Sequence, residues 1–198
     1  MKPLRRAALF LALLAPAAPA AAQTADDGFK AYDAGDYEKA KAIFLPLAEH
    51  GDPKAMNAIG LMYDFGKGYP KNATTACDWY EKAAGIGYLS AQRNLGACYI
   101  QGQGRPKSLE TGLSWVKRAA NSGSVEAQLS LFSYYDDANN KKEAQRWLSM
   151  AMSSGSTVAR VSGWVLGYKN TGTPISLKEV ACFYAMNVIA REPFDYCD

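Results

Sequence analysis

Few residues in this sequence can do chemistry, and their spacing narrows what that chemistry is. There are four cysteines, Cys77, Cys98, Cys182 and Cys197, and a single histidine, His50. Cysteines serve as redox thiols, metal ligands or disulfides. No C-x-x-C spacing occurs, and His50 is remote in sequence from every cysteine. The usual zinc and redox patterns are therefore missing, and no metal ligand set or cofactor is predicted. One histidine also leaves little material for a Ser-His or Cys-His nucleophile. It is expected instead at a helix end, favouring the C-terminal carbonyls. Ser114-Trp115-Val116-Lys117 has the Ser-x-x-Lys spacing of penicillin-recognising enzymes, in which Lys activates Ser one helical turn away. Tyr168-Lys169-Asn170 and Lys169-Asn170-Thr171-Gly172 faintly echo the other boxes of those enzymes. Gly66-Lys67-Gly68 and Gly102-Gln103-Gly104 look like phosphate loops in isolation. They lie between helical patterns, not after a strand, so helix termination explains them.

The elements that would carry these residues repeat. Tyr63, Tyr99 and Tyr135 are 36 residues apart, as are Ala55, Ala91 and Ala127, and Gly51, Gly87 and Gly123. Trp79 and Trp115 follow the same step, and Trp115 to Trp147 is 32. The four lost residues fall where "YYDDANNKKEA" has no Gly-x-Gly turn. Asn139-Asn140 is expected to turn the chain there, because Asn tolerates the left-handed conformation. Each unit reads as two helices. Ala55, Ile59, Gly60 and Tyr63 share one face, and Ala76, Trp79, Tyr80, Ala83 and Ala84 share another. Small residues on one helix leave a hole for the aromatic of its neighbour. A single pair cannot bury its apolar face alone, so the units must stack. Within this repeat Ser114 and Lys117 fall at ordinary variable positions, matching Asp78 and Glu81.

The pattern Ala-x3-Leu-Gly-x2-Tyr-x2-Gly-x-Gly, followed by Ala-x2-Trp-Tyr-x-Lys-Ala-Ala-x2-Gly, resembles the SEL-one-like repeat, a relative of the tetratricopeptide repeat. Residues 51–86 match nearly throughout. Residues 87–122 depart at Gly112 and Val116, and residues 123–154 carry the deletion and Phe132 in place of glycine. Residues 26–50 look like a shortened unit, and 155–198 like a degenerate C-terminal unit and cap. The resemblance implies an all-α fold, a right-handed superhelical solenoid of antiparallel helix pairs. It implies an adaptor, scaffold or regulator whose first helices line a groove for a protein or peptide partner. Carried over from tetratricopeptide geometry, the groove positions are Lys54, Asn57, Leu61 and Asp64, then Arg93, Ala97 and Ile100, then Leu129, Ser133 and Asp136. It also implies an alternative, since cysteine-rich secreted relatives are described as weak β-lactam binders or hydrolases; Ser114 would then be the nucleophile.

Helix pairing gives the cysteines partners. Cys77 and Cys98 lie at nearly equal distances from the turn near Ile86-Gly87, on antiparallel helices, so a Cys77–Cys98 disulfide is expected. Of three possible connectivities this leaves Cys182 with Cys197, pinning the tail. Ser176 and Glu179 make a Ser-x-x-Glu capping box for a closing helix over 176–190. At the other end, Lys2, Arg5 and Arg6 precede a short apolar run and Ala20-Ala21-Ala22, the layout of a secretory signal over 1–22. The remaining 23–198 is expected to be one repeat domain, not membrane-spanning, a monomer in the periplasm or outside a bacterial cell. The whole chain has 22 basic and 19 acidic residues, and the signal holds three of the basic ones. The rest is balanced, which gives no support to a nucleic-acid partner or an anionic membrane. A protein of the cell envelope is the expected partner.

Overall fold

The computed structural model describes residues 23–156. The expected signal segment, the closing helix, the 168–172 boxes, Cys182 and Cys197 lie outside the described residues. Within them the chain is a right-handed superhelical solenoid of eight helices. These are α1 (Ala25–Asp33), α2 (Tyr37–Glu49), α3 (Pro53–Phe65), α4 (Ala73–Gly85), α5 (Leu89–Gln101), α6 (Leu109–Asn121), α7 (Val125–Asp137) and α8 (Lys141–Ser153). Each helix packs on the next in sequence. The first helices of units also touch one another, α1 with α3 and α5 with α7, which places them on the tighter, inner side.

Helix starts repeat because their caps do. Asp52 and Ser124 cap α3 and α7 through side-chain oxygens, and Asn72, Ser108 and Asn140 cap α4, α6 and α8. Such a cap satisfies an orphan N–H of the first turn. Pro53 fits the first turn of α3, where no N–H is needed. His50 closes α2, its Nδ1 2.7 Å from the Pro46 carbonyl oxygen, as its helix-end expectation required. Asn139 takes φ +57° in the shortened unit, and Asn140 then caps α8.

Thr24 and Asp27 form a capping box on α1. The Thr24 backbone N–H and hydroxyl, with the Lys30 ammonium, hold the Asp27 carboxyl down at about 2. A depressed folded-state value means the stabilisation is complete above the ordinary aspartate range near pH ~4 and is lost as pH falls through about 2. Thr24→Ala should therefore raise the Asp27 titration midpoint, read by carboxyl NMR, and α1 should fray at higher pH than in the parent. An unchanged midpoint would remove the Thr24 hydroxyl as a cause and leave the backbone N–H, which alanine retains.

The core follows the large-against-small rule, unit by unit. A β-carbon at Gly28 would fall 2.5 Å from Phe44, and one at Gly60 would fall 2.5 Å from Tyr80. The second unit departs from the repeat at two positions that compensate each other. Val116 replaces the aromatic and Gly112 the alanine, so the backbones of α5 and α6 meet. A β-carbon at Gly96 would lie 2.8 Å from the Gly112 carbonyl oxygen, and one at Gly112 would lie 2.7 Å from that of Gly96. Ile100 covers the gap. The third unit inverts the arrangement: Phe132 on α7 supplies the bulk and Leu148 takes the tyrosine position on α8. Total volume across each pair is what packing constrains, so these swaps preserve the fold.

Units are stitched by polar bonds as well. Gln92 and Gln128, 36 residues apart, donate from Nε2 to the carbonyls of Ala84 and Ala120 at 3.4 and 2.9 Å. Arg105, in the α5–α6 turn, donates to Asp78 and Glu81 on α4 at 2.8 and 2.7 Å.

Candidate functional site

The inner face of α3, α5 and α7 carries two adjoining cavities. The smaller, about 120 Å³, is walled by Leu61, Asp64 and Phe65 of α3 and by Tyr80 and Cys77 of α4. The larger, about 340 Å³, runs on past Ile100 and Val116 to Ser130 of α7. Arg93, Asn94, Ala97 and Gln101 of α5 border both. The wall of α5 faces inward because its other side, Ala91 and Leu95, is buried against α4.

A disulfide forms part of this wall. Cys77 and Cys98 are bonded, their Cα atoms 6.3 Å apart, and both border the smaller cavity. Cys77 lies early in α4 and Cys98 late in α5, which brings them level across the Ile86–Gly87 turn. The Gln103 carbonyl oxygen sits 3.2 Å from Cys77 Sγ, so the α5–α6 turn closes over the bridge.

The expected groove residues divide. Leu61, Asp64, Arg93, Ala97 and Ile100 border the cavities. Lys54 is tied to Asp26 of α1 and lies over the Phe29 ring, at the mouth of the first pair. Asn57 is only 4% exposed, and its Oδ1 accepts from Asn94. Leu129 packs against the core of α6 to α8. Ser133 is exposed, while Ser130 takes the cavity position on α7. Asp136 pairs with Lys141 at 2.7 Å. The carried-over positions do not include Phe65, Asn94, Gln101 and Ser130, which also border the cavities. The signal that could have found them is the position one step along each first helix from the expected ones: 65 beside 64, 94 beside 93, 101 beside 100.

Tyr80 is the buried polar group of the site. Its ring fills the hole at Gly60, and its hydroxyl is buried beside the Asp64 carboxylate. Burial pushes the phenol far up, and the Asp64 carboxylate adds to this, so it stays protonated. It is a donor and not a base.

The Ser-x-x-Lys spacing does not produce a Ser–Lys pair. Ser114 is exposed on α6 and donates to the Thr111 carbonyl at 2.7 Å, while Lys117 lies over the Tyr135 ring. Neither borders the cavities.

Three consecutive segments, 53–88, 89–124 and 125–156, match the Sel1 repeat model. The chain belongs to the Sel1 repeat family. Each matched segment opens on the first residue of a first helix, Pro53, Leu89 or Val125. A Sel1 repeat protein from Oxalobacter formigenes, known from a crystal structure, is 30% identical with a TM-score of 0.62; the match covers 82% of this chain and 69% of that one. A protective antigen of uropathogenic Escherichia coli strains that displays an SLR fold is 28% identical with a TM-score of 0.60. That match covers 72% of this chain and 33% of the antigen, so the chain spans about a third of the antigen's length. No curated protein matches the sequence. Sel1 repeats are protein–protein interaction modules and their proteins are generally non-enzymatic scaffolds. Among the described residues of this Sel1 repeat protein, no helix is long and apolar enough to cross a membrane.

Proposed function

We propose that the chain is a periplasmic or secreted adaptor, scaffold or regulator that holds a segment of an envelope protein in its first-helix groove. One observation carries this reading: the two cavities share Arg93, Asn94, Ala97 and Gln101 of α5 as a common wall, so between them they border the first helices of three stacked units. Their lining mixes apolar side chains with polar ones, which suits an extended peptide or one face of a helix. The solenoid acts without catalysis of its own, as a rigid surface whose curvature is set by unit stacking. The compartment is supported by the layout of residues 1–22 and by a disulfide that needs oxidising surroundings to persist.

The test is site-specific photo-crosslinking in the native bacterium. A photoreactive residue at Ala97 should yield one dominant protein adduct in the envelope fraction, and one at Ser114, on the outer helix, should not. Adding Arg93→Glu should remove the Ala97 adduct. Equal adducts at both positions, or none at Ala97, would sink the groove. Fractionation that leaves the protein in the cytoplasm would remove the compartment from the reading.

A further inference from the structure

The guanidinium of Arg93 is held where the two cavities meet, and no acid answers it. Nη2 donates to Asn94 Oδ1 at 3.1 Å. Asn94 Nδ2 donates in turn to Asn57 Oδ1 at 3.0 Å, and Asn57 is buried in α3. A buried amide on one unit thus positions an amide on the next, and that amide positions the guanidinium. The ion pairs among the described residues use Lys30, Lys41, Lys54, Arg105, Lys141 and Arg146; none uses Arg93. A half-buried cation without a carboxylate has lost part of its hydration and gained little in return. The charge around it is also lopsided. The larger cavity has no acidic residue in its wall, whereas the smaller one carries Asp64.

We propose that the groove takes a continuous partner segment whose Asp or Glu side chain reaches Arg93 from the larger cavity. This deepens the groove reading and rests on it. The guanidinium keeps free N–H groups in a planar fork that matches a carboxylate. Asn57 and Asn94 hold that fork in advance, so little side-chain freedom is lost on binding. The acid belongs within the segment and not at its end, because Arg93 borders two cavities and a segment filling both runs on past it. Asp64 repels a second acid, so the neighbouring side chain in the smaller cavity is not acidic and packs on Leu61 and Phe65. Asn94 is a positioning residue: it acts through Arg93.

The experiment is a bead library of short random peptides, tethered by their C-termini so that no terminal carboxylate is present, screened with the oxidised protein. Selected peptides should carry an Asp or Glu next to a residue that is not acidic. Changing that acid to its amide should weaken binding about ten-fold, the scale of one charged hydrogen-bond pair. Against Arg93→Gln the same change should alter binding by less than roughly two-fold, because the partner of the acid is already gone. Circular dichroism and urea unfolding establish that each variant is folded. Recovery of peptides without an acid, of no peptides, or of peptides equally acid-dependent on Arg93→Gln would overturn the proposal. A filling variant, Ala97→Arg, separates the two readings. If it abolishes binding while Arg93→Gln does not, the groove stands and the acid assignment falls. If neither variant matters, both fall.

Discussion

Replacing Gly104 by alanine should destabilise the solenoid by about 3 kcal/mol or more. Two effects add. Gly104 sits at φ +73°, where a β-carbon costs roughly 1–2 kcal/mol. That β-carbon would also fall 2.3 Å from the Ala73 carbonyl oxygen and 2.8 Å from the Thr74 nitrogen. Both are backbone atoms in the first turn of α4, where nothing flexible can yield. Overpacking of this kind costs typically about 1–3 kcal/mol. The α5–α6 turn would have to lift off the preceding unit, taking the Arg105 contacts to Asp78 and Glu81 with it. Gly66 is the control. It has φ +69°, and a β-carbon there would approach nothing nearer than 3.4 Å. Gly66→Ala should therefore carry only the conformational cost. Urea unfolding of the two variants checks this; equal midpoints would show that the close approach to α4 contributes nothing.

Removing the disulfide should cost about as much. The Cys77–Cys98 bridge closes a loop with a separation of 21 residues, and the chain-entropy model assigns such a loop about 3 kcal/mol. For a domain of this size that corresponds to a fall of roughly 6–12 °C in Tm. The Cys77→Ala, Cys98→Ala double variant is preferred to reductant, because it leaves Cys182 and Cys197 untouched. Both sulfur positions are buried, at 1% and 7% exposure, so alanine also leaves a small void, which adds to the loss. The effect reaches the groove as well, since both cysteines border the smaller cavity. A thermal scan showing a shift under about 3 °C would mean that stacking alone holds α4 to α5.

Much of the architecture was legible because it is periodic. Steps of 36 and 32 residues gave the helix pairs, and the alternation of glycine with aromatics gave their buried faces. The loss of Gly-x-Gly pointed to Asn139, which does take the left-handed conformation. The level placement of Cys77 and Cys98 about a turn required only helix geometry. The departures at Gly112, Val116 and Phe132 were visible as mismatches, but their meaning was not. Each makes sense only against its partner across the helix interface: Gly96 with Gly112, and Phe132 with Leu148.

The candidate site was legible to a lesser degree, for a physical reason. A repeat places equivalent positions on the same face of successive helices, so tetratricopeptide geometry carried over by resemblance could assign Leu61, Asp64, Arg93, Ala97 and Ile100 inward. Spacing does not say how far a side chain is covered or what it touches. Asn57 shares the inward register, yet the next unit buries it and Asn94 takes its oxygen. Lys54 shares it too, yet Asp26 draws it to the preceding pair. The sequence by itself determined the repeat, the paired helices and the level placement of Cys77 and Cys98, because these follow from local periodicity. Only the tertiary structure decided which of those residues stay open and which amide holds Arg93. Those outcomes depend on contacts between units, and residues 36 apart have no local physics in common.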